Sequence, residues 1–403
     1  MKRWQKLLLV LLAVLICSQI PFAYRRYRLG RLSDAILQIN SQRQPRPDEK
    51  FVEYKGVVHV HSFLGGHSTG TFEAIIAAAK QNQLDFVVMT EHTSANFNTA
   101  AMTLKDVHSG VLFINGNEVS APTNERLLIF PGDESAITAE GSSVADVIAR
   151  SKARSALALV AYPEEFKSWS AAGYDGVEVY NVYTNARQIN PLVMLFDGLW
   201  SYRSYPDLLF ATFYARPANG LRLWDDAIRL TGKRLVATAG NDAHANVGLS
   251  LNDASGKTWV GFKADPYERS FHLVRMHLLL STGEVLNSSS LVRAFSAGHC
   301  FIGFDLFGDT SGFRFTATNG SDQKIQGDEI AAGSGVTLSV QAPVSARVVL
   351  LKDGQTFNEA TGIMEKQYAV SEKGSYRVEV YLPQLPGPVS EQPWIISNPI
   401  YVK

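Results

Sequence analysis

The sequence predicts an α/β protein with an apolar N-terminal helix and an all-β C-terminal domain. Three observations predict this. Short apolar runs alternate with stretches of helical periodicity from Lys55 to about residue 308, as in parallel α/β arrangements. From about Asp309 onward, Gly-rich turns separate strands of alternating polarity, which reads as a β-sandwich. Leu7 to Ile16 is an unbroken apolar run behind Lys2, Arg3 and Lys6, the layout of a signal or short signal anchor.

The elements follow in order. Residues 1–24 are expected to form the anchor. No good small-x-small cleavage site follows, so an uncleaved anchor and an extracytoplasmic body, membrane-held or secreted, are expected. Arg25, Arg26, Arg28 and Arg31 follow the apolar segment, so flanking charge gives no clean orientation. Residues 25–50 read as a polar linker. In residues 51–308, Gly56–Val60, Phe86–Met89, Val111–Ile114, Leu127–Phe130, Leu157–Ala161, Val177–Tyr180 and Leu235–Ala239 are short strands. Thr71–Gln81 carries Phe72, Ile75, Ile76 and Ala79 at helical spacing, and a second helix starts at Ser143. The aromatic-rich stretch from Leu192 to Gly220 is expected to cover a pocket. Residues 309–403 form the sandwich, with Lys352-Asp-Gly354 as a hairpin turn.

Bulk composition narrows the function. Hydrophobic residues make up 46% and charged residues 19%, which excludes a disordered chain. Lys+Arg and Asp+Glu both count 38, so charge gives no reason to expect nucleic acid as a partner. Cys17 and Cys300 cannot make a disulfide framework or a thiolate zinc site.

Histidine is used only nine times, yet several fall at strand ends. His59-x-His61 ends the first strand, and period-2 alternation aims both rings to one face. Glu91-His92, Glu118, Tyr162, Asp242 and His244 also follow predicted strands. In an α/β barrel such ends converge on one mouth. Imidazoles and carboxylates gathered there suit zinc, manganese or iron.

Val58-His59-Val60-His61-Ser62, Thr90-Glu91-His92, Gly116-Asn117-Glu118 and Gly240-Asn241-Asp242-Ala243-His244 resemble the successive motifs of the polymerase-and-histidinol-phosphatase (PHP) family. The resemblance runs from about Gly56 to Asp305. It implies a distorted (β/α)7 TIM-like barrel and a metal-dependent hydrolase, a phosphoesterase before a hydrolase of carbamates or other esters. It implies that His59, His61, Glu118 and Asp242 hold one metal, and that His67, His92 and His244 hold another. A third family metal needs two more histidines, but Tyr162 stands where one is expected and none lies near Arg126. Two divalent cations per chain are therefore expected. Glu91 replaces the usual Asp and is expected to orient His92; Tyr162 is expected to donate a hydrogen bond to substrate or fill the vacated volume.

The catalytic set expected is Glu118, Asp242 and His244. A metal-activated hydroxide would attack phosphorus or an acyl carbon, with Asp242 accepting the proton. Arg126, Arg187, Arg216 and Arg222 are candidates to grip a small phosphoester or ester substrate. The alternative is a catalytically weakened barrel acting as a binding module.

Overall fold

The computed structural model describes residues 2–46, 50–133, 142–187, 189–246, 248–252, 258–263, 265–332 and 335–403. The chain is a mixed α/β molecule with one large sheet and a long apolar helix at its N-terminus.

Helix α1 spans Arg3–Gln42. Its apolar window is wholly unburied, with a mean hydropathy of 2.3. Its second half packs on the body through Leu29, Leu32 and Ile39. The linker expected over 25–50 is therefore helical as far as Gln42. Apolar residues hidden among its arginines explain the difference, since Leu29, Leu32, Ile36 and Ile39 recur at helical spacing.

The next strands are β1 Phe51–Val60, β2 Phe86–Met89, β3 Glu91–His92, β4 Asp106–His108, β5 Val111–Ile114, β6 Asn117–Ser120, β7 Arg126–Phe130, β8 Leu157–Ala161, β9 Gly176–Asn181 and β10 Val236–Ala243. β1 lies parallel between β2 and β10. β2 pairs parallel with β5, and β3 with β6. β8 to β10 pair parallel in sequence. Two stretches depart from the parallel pattern: β4 is antiparallel to β5, and β7 is antiparallel to both β6 and β8. Only residues 121–125 join β6 to β7. That is room for a hairpin turn but not for the crossover a parallel neighbour needs. The reversal places Arg126 opposite Ser120 and Ala161, level with the carboxyl ends of the neighbouring strands.

Helices cover the sheet. α2 Phe72–Gln81 is capped by Thr71 and buries Ile75, Ala78 and Ala79. α3 is the single turn Thr99–Met102. α4 Val144–Ala153 starts in a Ser143–Asp146 capping box and buries Val144, Val147 and Ile148. α5 Val182–Ala186 and α6 Pro191–Ser201 follow β9. α7 Ala218–Thr231 buries Leu221, Trp224 and Ile228 and stops at Gly232 in the left-handed region.

β11 Gly248–Asn252 and β12 Thr258–Lys263 form a separate antiparallel pair. α8 Tyr267–Leu273, β13 Arg275–Ser281, α9 Ser288–Ala297 and β14 Cys300–Gly303 complete this part of the chain. β13 is antiparallel to the first half of β1. The C-terminal strands are β15 Arg314–Asn319, β16 Asp322–Ile325, β17 Glu329–Ile330, β18 Val336–Lys352, β19 Gln355–Val370, β20 Gly374–Tyr381, β21 Pro393–Ser397 and β22 Ile400–Val402. They are mostly antiparallel, and the expected turn at Asp353-Gly354 joins β18 to β19. They are also hydrogen-bonded to the first part of the chain: β14 pairs with β13 on one side and β21 on the other. The sheet thus runs on continuously into the C-terminal strands.

Two buried ionic networks tie the parts together. Arg216 makes a bidentate bond to Glu379, which also takes Arg377, and Arg377 reaches Asp225 on α7. His277 on β13 sits between Glu53 Oε1 at 2.8 Å and Asp305 Oδ1 at 3.3 Å. Burial opposes its charge, but Asp305 and Glu53 more than offset that, and its pKa rises to about 9.

Candidate metal centre

β1 brings His59 and leads directly into His61, β3 brings His92, β6 brings Glu118, and β10 brings Asp242 and leads directly into His244. His59, His61, Glu118 and Asp242 each place a ligating atom within 4.8 Å of the others', and all four are buried. His61, His92 and His244 form a second, overlapping group by the same measure. The His61 ring stacks on His92 and His244, with centroids 4.5 and 4.2 Å apart.

His59 and His61 meet through a local departure from strand geometry. The β1 register shifts at His59 against both β2 and β10, and His59 has φ 69°. Such a bulge re-aims a side chain. Tyr162 at φ 48° and Asp242 at φ 47° also occupy the left-handed region. Non-glycine residues there carry strain of about 1–3 kcal/mol each, and these three share one site.

Hydrogen bonds position His59, Glu118 and Asp242. Glu178 on β9 accepts from His59 Nδ1 at 2.7 Å. That bond fixes the proton on Nδ1 and turns Nε2 toward Glu118 Oε2, at 3.3 Å, and Asp242 Oδ1, at 3.5 Å. Tyr162 donates its hydroxyl to Asp242 Oδ2 at 2.7 Å, and Asn181 reaches the same oxygen at 3.3 Å. Arg126 Nη1 donates to Glu118 Oε1 at 2.7 Å and lies over the Tyr162 ring. One oxygen of each carboxylate is thus engaged, and the other faces the imidazoles.

Three atoms at the centre of the group, His61 Nδ1, His61 Nε2 and Asp242 Oδ1, have no hydrogen-bond partner among the described residues. Buried polar atoms left in this state are destabilising. The two unsatisfied atoms that face other ligands, His61 Nε2 and Asp242 Oδ1, are 3.6 Å apart. A divalent cation would satisfy them, and histidine nitrogen with carboxylate oxygen is a suitable donor set. The residues present therefore fit a metal ion.

The electrostatics of His61, His92 and Glu118 agree. Burial, then the nearby His244, His59, His92 and Arg126, lower the His61 pKa well below the usual histidine value. Burial brings His92 down to about 4 despite the attraction of Glu118. Both rings are thereby held in the neutral form a metal ligand needs. Burial would raise Glu118, but His59, His92 and Arg126 hold it ionised, down at about 2. His59 goes the other way. Burial disfavours its charge, yet Glu178, Asp242 and Glu118 override this and raise its pKa well above the usual value.

The remaining expected residues are placed as follows. His67 is exposed and touches the edge of the His92 ring at 5.1 Å, outside both ligand groups. His61 takes its place beside His92 and His244. Glu91 does not orient His92 through a hydrogen bond among the described residues. Its carboxylate accepts from Ser62 N, Ser62 Oγ and Thr103 Oγ1, so it fixes the chain just after His61. Arg216 is committed to Glu379, and Arg222 pairs with Asp226 on the exposed face of α7. Arg187 pairs with Glu165 at 3.5 Å and lies over Tyr183. Of the four arginines, Arg126 alone bonds a member of the ligand groups. The segment 192–220, expected as a cover, packs Phe196 on Phe22 of α1 and Tyr214 on Tyr180, Phe304 and Phe307.

Glu178 and Asn181 belong to the site and were missed in the sequence. The available signal was a single acid within Val177-Glu178-Val179-Tyr180, a run otherwise suited to a fully buried strand. Gly240 is explained by the same residue: a Cβ there would overlap Glu178 Oε1 and come within 3.0 Å of His59 Cβ.

No family model and no curated protein matches the chain. Among solved structures, PsfC from Pseudomonas syringae PB-5123 is similar with a TM-score of 0.38 at 14% identity, over 60% of this chain and 89% of that one. An endonuclease Q complex with a 27-mer duplex bearing an abasic lesion is similar with a TM-score of 0.34 at 13% identity, over 70% of this chain and 60% of that one. Likeness this low carries no inference about the chain.

Proposed function

We propose that this chain is a membrane-anchored, metal-dependent hydrolase of PHP type acting on phosphoesters. The observation that carries the reading is the buried group of His59, His61, Glu118 and Asp242, with unsatisfied ligand atoms on His61 and Asp242 at its centre. One cation would be held by this group. A second would be held by His92 and His244, with His61 within reach of either. The strand pairings support a seven-stranded barrel for the catalytic part, since they run from β1 through β2, β5 with β6, β7, β8, β9 and β10 and return to β1. The sheet as a whole is not such a ring, because β13 to β22 extend from it. The unburied apolar window of α1 supports an anchor.

Divalent cations at this site supply charge that acidifies a water and neutralises the oxygens of an anionic ester. The residues of the chain do the rest. Glu178 holds the His59 tautomer and Tyr162 holds Asp242 Oδ2. Asp242 Oδ1 is left free to ligate or to accept a proton. Arg126 keeps one guanidinium nitrogen on Glu118 while its side chain remains 36% exposed, so its other donors can meet an anionic oxygen of substrate.

The test is a panel of phosphomonoesters, phosphodiesters, carboxyl esters and carbamates offered to protein loaded with manganese, iron or zinc. Metal-dependent phosphoester hydrolysis that His61→Ala abolishes is expected. Loaded protein that turns over none of the panel would leave the chain a binding module.

A further inference from the structure

We infer that α6 is a second membrane contact, lying in the lipid–water interface beside α1. The inference rests on reading α1 as an anchor. Helix α6, Pro191–Ser201, reverses the pattern of a helix on a water-facing surface. Its leucines point outward: Leu192, Leu195 and Leu199 are 67%, 55% and 73% exposed. At i, i+3 and i+7 they form one stripe. Its single charged residue, Asp197, points inward and is 2% exposed, bound bidentately by Arg25 of α1. In water this arrangement exposes apolar surface and buries charge. Against hydrocarbon it is the favourable orientation.

Position identifies the covering medium. α6 meets α1 where the apolar window gives way to basic residues. Phe196 stacks on Phe22 at 4.9 Å, and Trp200 Nε1 bonds Gln19 at 3.0 Å. The leucine stripe thus continues the unburied apolar surface of α1. Arg26 binds the Trp200 carbonyl at 2.6 Å. With Arg28 and Arg31 it stands at the level where anionic headgroups would lie. Tyr24, Tyr27 and Trp200, all exposed, are residue types that favour that boundary. α6 would therefore lie in the interface while α1 crosses the bilayer. α6 also follows closely on α5, whose N-cap is Asn181, the partner of Glu178 and Asp242. Membrane contact would set how the metal centre sits above the bilayer.

The test uses the full chain, with Cys17→Ser as background because Cys300 is buried. The protein is reconstituted into vesicles of phosphatidylcholine and phosphatidylglycerol. Spin labels are placed singly at Leu195→Cys, Leu11→Cys on α1, and Arg222→Cys on the outer face of α7. Relaxation by oxygen, which concentrates in lipid, is compared with relaxation by a water-soluble nickel chelate. The ratio of oxygen to nickel effect at 195 is expected to be several-fold above that at 222. A ratio at 195 equal to that at 222 overturns the inference. A label at 195 shielded from both reagents also overturns it, in favour of a protein partner. The label at 11 reads the anchor separately. Lipid exposure at 11 with water at 195 rejects α6 alone, whereas water at both rejects the anchor as well.

Discussion

Replacing Glu178 should weaken metal binding although Glu178 is not itself a ligand. Its carboxylate is fully buried and accepts from His59 Nδ1 at 2.7 Å. Two effects follow from that bond. It fixes the tautomer, so that Nε2 is the nitrogen presented to Glu118 and Asp242, and its charge makes the ring a better donor to a cation. Glu178→Ala removes both, and His59 can then turn or protonate the wrong nitrogen. Outer partners of metal-bound histidine are typically worth about ten- to a hundredfold in affinity, or about 1.4–2.7 kcal/mol. Glu178→Gln keeps an acceptor oxygen and loses the charge, so its effect should fall at the lower end. Calorimetric titration of the metal-stripped protein with manganese or zinc measures this, and a thermal melt in chelator separates it from misfolding. Unchanged affinity in a folded Glu178→Ala protein would refute the reasoning, because His59 would then need no support to act as a ligand.

Four further outcomes are expected. Gly240→Ala should lower metal affinity as Glu178→Ala does, since the new Cβ displaces Glu178 Oε1; titration of the purified variant checks it. Arg126→Ala should raise KM for anionic esters at saturating metal by the worth of a charged hydrogen bond, about 1.5–3 kcal/mol, and should also lower metal affinity because Glu118 Oε1 loses its partner; steady-state kinetics beside metal titration would show both. Arg216→Ala should leave metal content and kcat alone but destabilise the fold by about 3 kcal/mol. It strips one partner from the buried Glu379 while Arg377 remains, and denaturant unfolding reads the loss. The His277 pKa, about 9 in the fold, lies above the unfolded value of about 6.5. Its stabilisation is therefore fully present below about pH 6.5 and is lost as pH rises through about 9, amounting to about 3 kcal/mol. Unfolding free energy measured from pH 6 to pH 10 should fall along this arm in the native protein and not in His277→Gln.

Much of the site was legible because its ligands sit at strand ends within short motifs. His59, His61, His92, Glu118, Asp242 and His244 could be assembled from strand prediction alone, because parallel strands bring their carboxyl ends together. Other features depend on tertiary packing and leave little trace in sequence. Glu178 looked like one acid in an apolar strand, and its meaning requires knowing that β9 lies beside β10 and points it at His59. Arg216 reads as a candidate for substrate, but its partner Glu379 lies 163 positions away. The family resemblance implies His67 as a ligand, yet His61 occupies the place beside His92 and His244. The helical second half of α1 was concealed by its arginines, whose charge suggested a linker while every third or fourth residue was apolar. The reversed β7 was recoverable from the short connection before it.

Everything proposed for the site depends on cations binding among these imidazoles and carboxylates. A crystal structure of the metal-loaded chain, with diffraction recorded on either side of the metal absorption edge, tests it most directly. An anomalous peak at bonding distance from His59, His61, Glu118 and Asp242 is expected, with loss of that peak in His61→Ala. A map with no peak there, from crystals grown in saturating metal, would contradict it.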